Sequence, residues 1–187
     1  MSKNPDNVLA RSLHDVGLAA WFGGSLMGAV GLNGGAATAP DPSDRARIAS
    51  AGWDKWTPVN AAAIGAHLAG AVMLTVANKG RLSGQKGVLG AGAAKAAATA
   101  GALAVTAYGR SLGKTISQAG GAPVEGVTEP GAMTPADAAA AQRQEKWAQW
   151  AIPALTGAML LLSARMSEQQ RPTEVVKGLI QRLNPAA

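Results

Sequence analysis

Charged residues are missing from two long segments of this chain, and that absence constrains the fold more than any motif does. None falls between Asp15 and Asp41, and none between Lys55 and Lys79. Each segment holds the roughly 20 apolar residues that an α-helix needs to cross a bilayer. The sequence predicts spans at 16–37 (VGLAAWFGGSLMGAVGLNGGAA) and 59–78 (VNAAAIGAHLAGAVMLTVAN). A third candidate at 147–164 carries Leu160, Leu161 and Leu162 in a row and is the most hydrophobic. The weakest is 87–109, mostly Ala and Gly with Lys95 inside it, so packing against the other three would have to hold it.

Charge placement sets the expected topology, because Lys and Arg concentrate in cytoplasmic loops. The chain has 17 Lys and Arg against 11 Asp and Glu, a net charge of +6. Lys79, Arg81, Lys86 and Lys95 surround the middle connection without an acid. Arg165, Arg171, Lys177 and Arg182 outnumber Glu168 and Glu174 in the tail. The N-terminal segment and the connections 38–58 and 110–146 balance, so the whole excess lies on one face. Four spans with both termini cytoplasmic satisfy this pattern. Trp53, Trp56, Tyr108, Trp147 and Trp150 then fall at the outer boundary as interface anchors, the position that aromatic rings with one wet polar atom favour.

A soluble Ala-rich helical protein would show charges every three or four residues on its wet face, and these segments do not. Ala37-Thr38-Ala39 imitates a signal-peptidase site, yet the preceding apolar run is too long and the segment before it nearly neutral. The expected fold is therefore all-α, a single membrane domain over 1–187. Its outer loops are 38–58 and 110–146, and a basic amphipathic helix at 172–184 lies on the inner leaflet. Within the first loop, 41–56 reads as a short segment, helical from Ser43, on the headgroups. Thr134-Pro135-Ala136-Asp137 reads as a helix start that carries the last span outward by two or three turns.

Few residues offer chemistry. With no Cys and two His, thiolate chemistry and Cys-bearing zinc sites are excluded. Gly109-Arg-Ser-Leu-Gly113-Lys114-Thr115 imitates a phosphate loop but has three residues between its glycines, where the phosphate loop has four. No basic stripe interleaves with aromatics, which speaks against nucleic acid as a partner. Ionisable groups inside the apolar segments are the functional candidates. His67 lies nine residues past Pro58 and Lys95 nine past Lys86, each about 13 Å deep at helical rise. His14 stands at the inner edge. A cavity shared by His67 and Lys95 would suit a proton or an anion; alternatively Lys95 snorkels to the headgroups and His67 bonds a neighbouring helix. Small residues at four-residue spacing (Ala20, Gly24 and Gly28; Gly65 with Ala69; Ala66 with Gly70) suit close helix packing.

His14 followed by Leu18-Ala-Ala-Trp21-Phe22-Gly23-Gly24 resembles the first-helix pattern of copper-resistance-D-type membrane domains and related small four-helix bacterial families. The resemblance implies a helix bundle and a role for His14. It does not carry copper handling over, because the further His and Met residues are missing. The Ala/Gly/Arg bias fits a high-GC bacterial gene.

These observations lead to a non-enzymatic, multi-pass protein of the bacterial inner membrane. It is expected to need no cofactor and to serve as a scaffold or accessory subunit of a larger assembly. Its partners would be the lipid bilayer and other membrane subunits or further copies of itself. A small transporter or channel subunit using His67 and Lys95 is the alternative. A haem- or copper-associated protein, with a site shared between two chains, is the third.

Overall fold

A computed structural model describes residues 7–79 and 88–168. The amphipathic tail expected at 172–184, together with Arg81 and Lys86 of the middle connection, lies outside these residues. Every described element is helical, apart from an isolated antiparallel bridge between Val124 and Pro130.

Helix α1 covers Val8–Met27, widens into a π-helical turn at Gly28–Leu32, and continues as the short α2, Asn33–Ala37. Helix α3 runs without a break over Pro42–Ala77. Helices α4, Val88–Gln118, and α5, Ala136–Glu168, complete the bundle. The main interfaces are α1 with α3, α4 with α5, and α1 with α5.

The helices outrun the apolar segments that announced them. Residues 41–56, expected as a separate surface segment, form the first turns of α3 and stand in line with its apolar part. Hydropathy marks the part of a helix that faces lipid and says nothing of where its hydrogen bonds stop. Asp41 caps α3 by accepting from the Ser43 amide (2.9 Å) and hydroxyl (2.7 Å), with Pro42 in the first turn. These bonds hold the Asp41 carboxyl below its usual pKa. Helix α5 does begin at Ala136, although the Thr134 hydroxyl turns back to the Pro123 carbonyl and leaves the helix end uncapped by it.

At the end of the bundle that carries residues 38–41 and 119–135, called the loop end below, the helices share a small packed cap. Ala46, Leu112, Ile116, Val124 and Ala141 form its centre. Arg45 ties the loop down, donating to the carbonyls of Ala39 (3.0 Å), Val124 (3.2 Å) and Glu125 (2.8 Å). The fully buried Gln142 amide donates to Gly126 and Val127. Gly120 and Gly121, both at positive φ, turn the chain out of α4, a backbone region that L-residues with a side chain rarely adopt.

The bundle interior holds polar side chains beside its apolar core of Leu18, Trp21 and Met159, and many large apolar side chains lie outside. His14, Ser25, Asn33, His67, Gln149 and Thr156 are buried, whereas Val16, Met27, Val72, Val76 and Leu161 are exposed. The helices Val8–Ala37, Pro42–Ala77 and Ala136–Glu168 are each long and apolar enough to cross a membrane, and only 11% of the most apolar stretch of α3 is buried. Apolar side chains outward and polar ones inward is the arrangement expected of a chain solvated by lipid.

Candidate functional site: a histidine–lysine cluster and a cavity at the loop end

Helices α1 and α3 cross so closely that backbone meets backbone. A Cβ on Gly17 would come within 2.4 Å of the Ala63 carbonyl, and one on Gly70 within 2.5 Å of the His14 amide. These contacts place His14 of α1 and His67 of α3 side by side, with ring centroids 4.4 Å apart. Lys95 reaches in from α4.

The three candidates thus converge on one cluster. The Lys95 ammonium, which can only donate, gives a hydrogen bond to His14 Nε2 at 2.6 Å. That fixes the tautomer: His14 carries its proton on Nδ1 and donates to Asp15 Oδ1 at 2.6 Å. The Asp15 side chain is 64% exposed and that of His14 3% exposed, so a line of hydrogen bonds runs from the bundle surface to the half-buried lysine. His67 donates from Nδ1 to the His14 carbonyl at 3.1 Å, which leaves Nε2 as a bare acceptor. Nε2 is buried and has no partner. Among the described residues, no group of three metal-ligating side chains gathers at the cluster.

Above the cluster, the fully buried Trp21 lies edge-on to His67, with centroids 6.3 Å apart. Its indole donates to the Thr106 hydroxyl at 3.2 Å. Thr106 belongs to the wall of a cavity of about 540 Å³ between α3, α4 and α5, toward the loop end. The π turn directs Asn33 inward at the edge of this cavity. There it accepts from Trp53 Nε1 (2.9 Å) and donates to Gln149 Oε1 (2.9 Å).

Trp53 and Trp56, expected as interface anchors, lay their rings over Gly28 and Gly24, where a Cβ would clash at 2.1 and 2.0 Å. The small-residue row of α1 therefore accommodates indoles. Tyr108, Trp147 and Trp150 remain exposed, and the Tyr108 hydroxyl bonds the Gln144 side chain. Gly65 and Ala69, expected in helix packing, face outward, and nothing lies within 4 Å of a Cβ built on Gly65. Ala20 is partly buried on α1. Thr75, Thr99 and Thr156 bond carbonyls of their own helices.

Sequence reasoning passed over Asp15, counted as a flanking charge, and Asn60 and Glu145, counted outside the spans or as ordinary polar positions. Their signal was available in part: Asp15 adjoins His14 in sequence, and a carboxylate there completes the polarisation of the ring. No protein-family model, curated protein or solved structure matches this chain.

Proposed function

We propose that this chain is a small proton-handling membrane protein, a transporter or channel subunit, working through Asp15, His14, Lys95 and His67. The observation that carries the reading is the hydrogen-bonded line from exposed Asp15 through His14 to Lys95. A proton passes along it when His14 takes one from Lys95 at Nε2 and releases the other from Nδ1 to Asp15, which leaves the ring neutral throughout and Lys95 uncharged. Net transport is completed when Asp15 releases its proton to water, Lys95 is reloaded from the opposite side, and the His14 ring returns its proton from Nε2 to Nδ1. His67, its ring tilted against that of His14, adds a second ring nitrogen with no partner. Ionisable residues facing the interior of a membrane bundle are costly and mark ion or proton pathways.

In this reading α4 is the fourth span, held by α5, and both termini are cytoplasmic in a bacterial inner membrane. The protein is not an enzyme and requires no cofactor. The resemblance to copper-resistance-D-type domains enters through His14, whose ring nitrogens are engaged by Lys95 and Asp15.

Proteoliposomes loaded with a pH-sensitive dye test the proposal. An imposed potential should drive proton entry above that of empty vesicles, and Lys95→Leu and His14→Ala should each remove at least nine-tenths of it. Flux equal to empty vesicles, or unchanged in both variants, would sink the proposal.

The uncovered strip of α3 around Gly65 and Ala69 supports a second reading, an accessory subunit that packs on another membrane helix. Stoichiometric partners after purification in a gentle detergent would favour it, and a lone homo-oligomer would count against it.

A further inference from the structure

The cavity at the loop end carries chemistry that the proton line does not use. Its wall is apolar over Ile64, Leu103 and Ile152 and aromatic at Trp53 and Trp56. The unsatisfied polar groups in it are acceptors. Asn60 Oδ1, from α3, and Glu145 Oε2, from α5, are both shielded from solvent and have no hydrogen-bond partner. Glu145 lies flat against α4 at Gly109, where a Cβ would sit 3.3 Å from Oε2. Two prolines inside helices add to the imbalance. Pro58 and Pro153 have no amide hydrogen to give the carbonyls of Asp54 and Gln149, two residues that line the cavity.

The nearby cations are otherwise engaged. Arg110 pairs with Asp54 at 2.8 Å, and Lys146 pairs with Glu129 at 3.3 Å. Lys114 is exposed. Glu145 therefore sits in the cavity wall with no cation paired to it among the described residues; burial pushes its carboxyl up to about 7, and a bound cation that supplies charge and donors would favour the ionised form. A negatively charged ligand would meet lone pairs there. A quaternary ammonium would bring charge without N–H groups, and a neutral alcohol one donor without charge. A primary ammonium brings both, and aromatic rings beside it add cation–π attraction.

We propose that this cavity binds a small organic ammonium ion, a primary amine on an apolar body, with Glu145 as its counter-ion, Asn60 as a second acceptor, and the rings of Trp53 and Trp56 against the apolar part. The site is separate from the Asp15–His14–Lys95 line, and Trp21 stands between them.

Isothermal titration calorimetry on the purified full chain in detergent tests this, with 2-phenylethylammonium as the probe and 2-phenylethanol as the uncharged control of similar shape. The amine should bind once per chain and at least tenfold more tightly than the alcohol. Glu145→Gln should weaken the amine at least tenfold and leave the alcohol unchanged. Asn60→Asp should tighten the amine, and it decides the matter if Glu145→Gln fails to fold. Overturning results are equal affinity for amine and alcohol, unaltered amine binding in Glu145→Gln or Asn60→Asp, or no binding of the amine by calorimetry and by saturation-transfer NMR. Amine binding is read without a proton gradient and proton flux without an amine, so either idea can fail while the other stands.

Discussion

Trp21 is the side chain through which the two polar regions meet. It is fully buried, its indole N–H holds Thr106 in the cavity wall, and its ring stands edge-on to His67. Two substitutions separate its roles. Trp21→Phe keeps an aromatic plug and removes one interhelical hydrogen bond, a loss of about 0.6 kcal/mol in membrane bundles. Trp21→Ala opens a void beside His67 and should cost about 3–5 kcal/mol. Thermal unfolding in detergent, followed by circular dichroism, should rank the variants in that order. Proton leak into vesicles should rise in Trp21→Ala and stay near wild type in Trp21→Phe. A greater leak from the phenylalanine variant would mean that the indole N–H, and not the bulk of the ring, keeps the regions apart. His14, His67 and Lys95 were legible because an ionisable residue in an apolar segment stands out against its neighbours. Asn60 and Glu145 were not, because a polar residue at the edge of an apolar segment looks the same in sequence whether it faces water or a cavity between helices.

Helix packing depends on which glycines meet backbone. The sequence offers many small residues, and their four-residue spacing identified Gly24 and Gly28 as contact positions without indicating that tryptophan rings would fill the space. Of the two glycines that let α1 and α3 touch, the spacing named Gly70, paired with Ala66, but not Gly17, which sits among so many Ala and Gly that it does not stand out. The structure distinguishes them from Gly65, and the distinction predicts opposite results. Gly70→Val places side-chain atoms against the His14 amide and the Ala10 carbonyl, 2.5 and 2.6 Å from the new Cβ, and backbone cannot step aside as a side chain can. The helices must part, at a cost of about 1–3 kcal/mol or more, and the His14–His67 ring contact parts with them. Gly65→Ala meets nothing within 4 Å and should be neutral, or gain up to about 1 kcal/mol from helix propensity. Unfolding midpoints of the two variants in one detergent would check the contrast. Comparable destabilisation by both would mean that the strip around Gly65 is covered in the protein as purified, which would support the accessory reading.

The route of the chain through the whole bundle bears on the span that was weakest in sequence. Helix α3 ends at Ala77, opposite the loop end, and α5 begins at Ala136 within the loop end. The chain must return between them, and α4 makes that return alongside α5. Its 31 residues extend about 46 Å at 1.5 Å per residue, more than the roughly 30 Å of a hydrocarbon core. A helix packed against neighbours can cross with a modest apolar surface of its own, which is why composition alone ranked 87–109 last. If α3 and α5 both cross, α4 is predicted to cross too, with the loop end outside. The absence of native Cys makes single-cysteine labelling unambiguous. Met133→Cys, on an exposed residue of the 119–135 loop, should react with a membrane-impermeant maleimide on intact cells. Ser167→Cys, near the far end of α5, and Leu89→Cys, near the start of α4, should react only after permeabilisation. Leu89→Cys and Met133→Cys reacting from the same side would leave α4 on one side of the membrane; labelling of Ser167→Cys from outside with Met133→Cys protected would instead invert the topology. It would also place the cavity at the loop end on the cytoplasmic face, so that an amine entering it would come from within the cell.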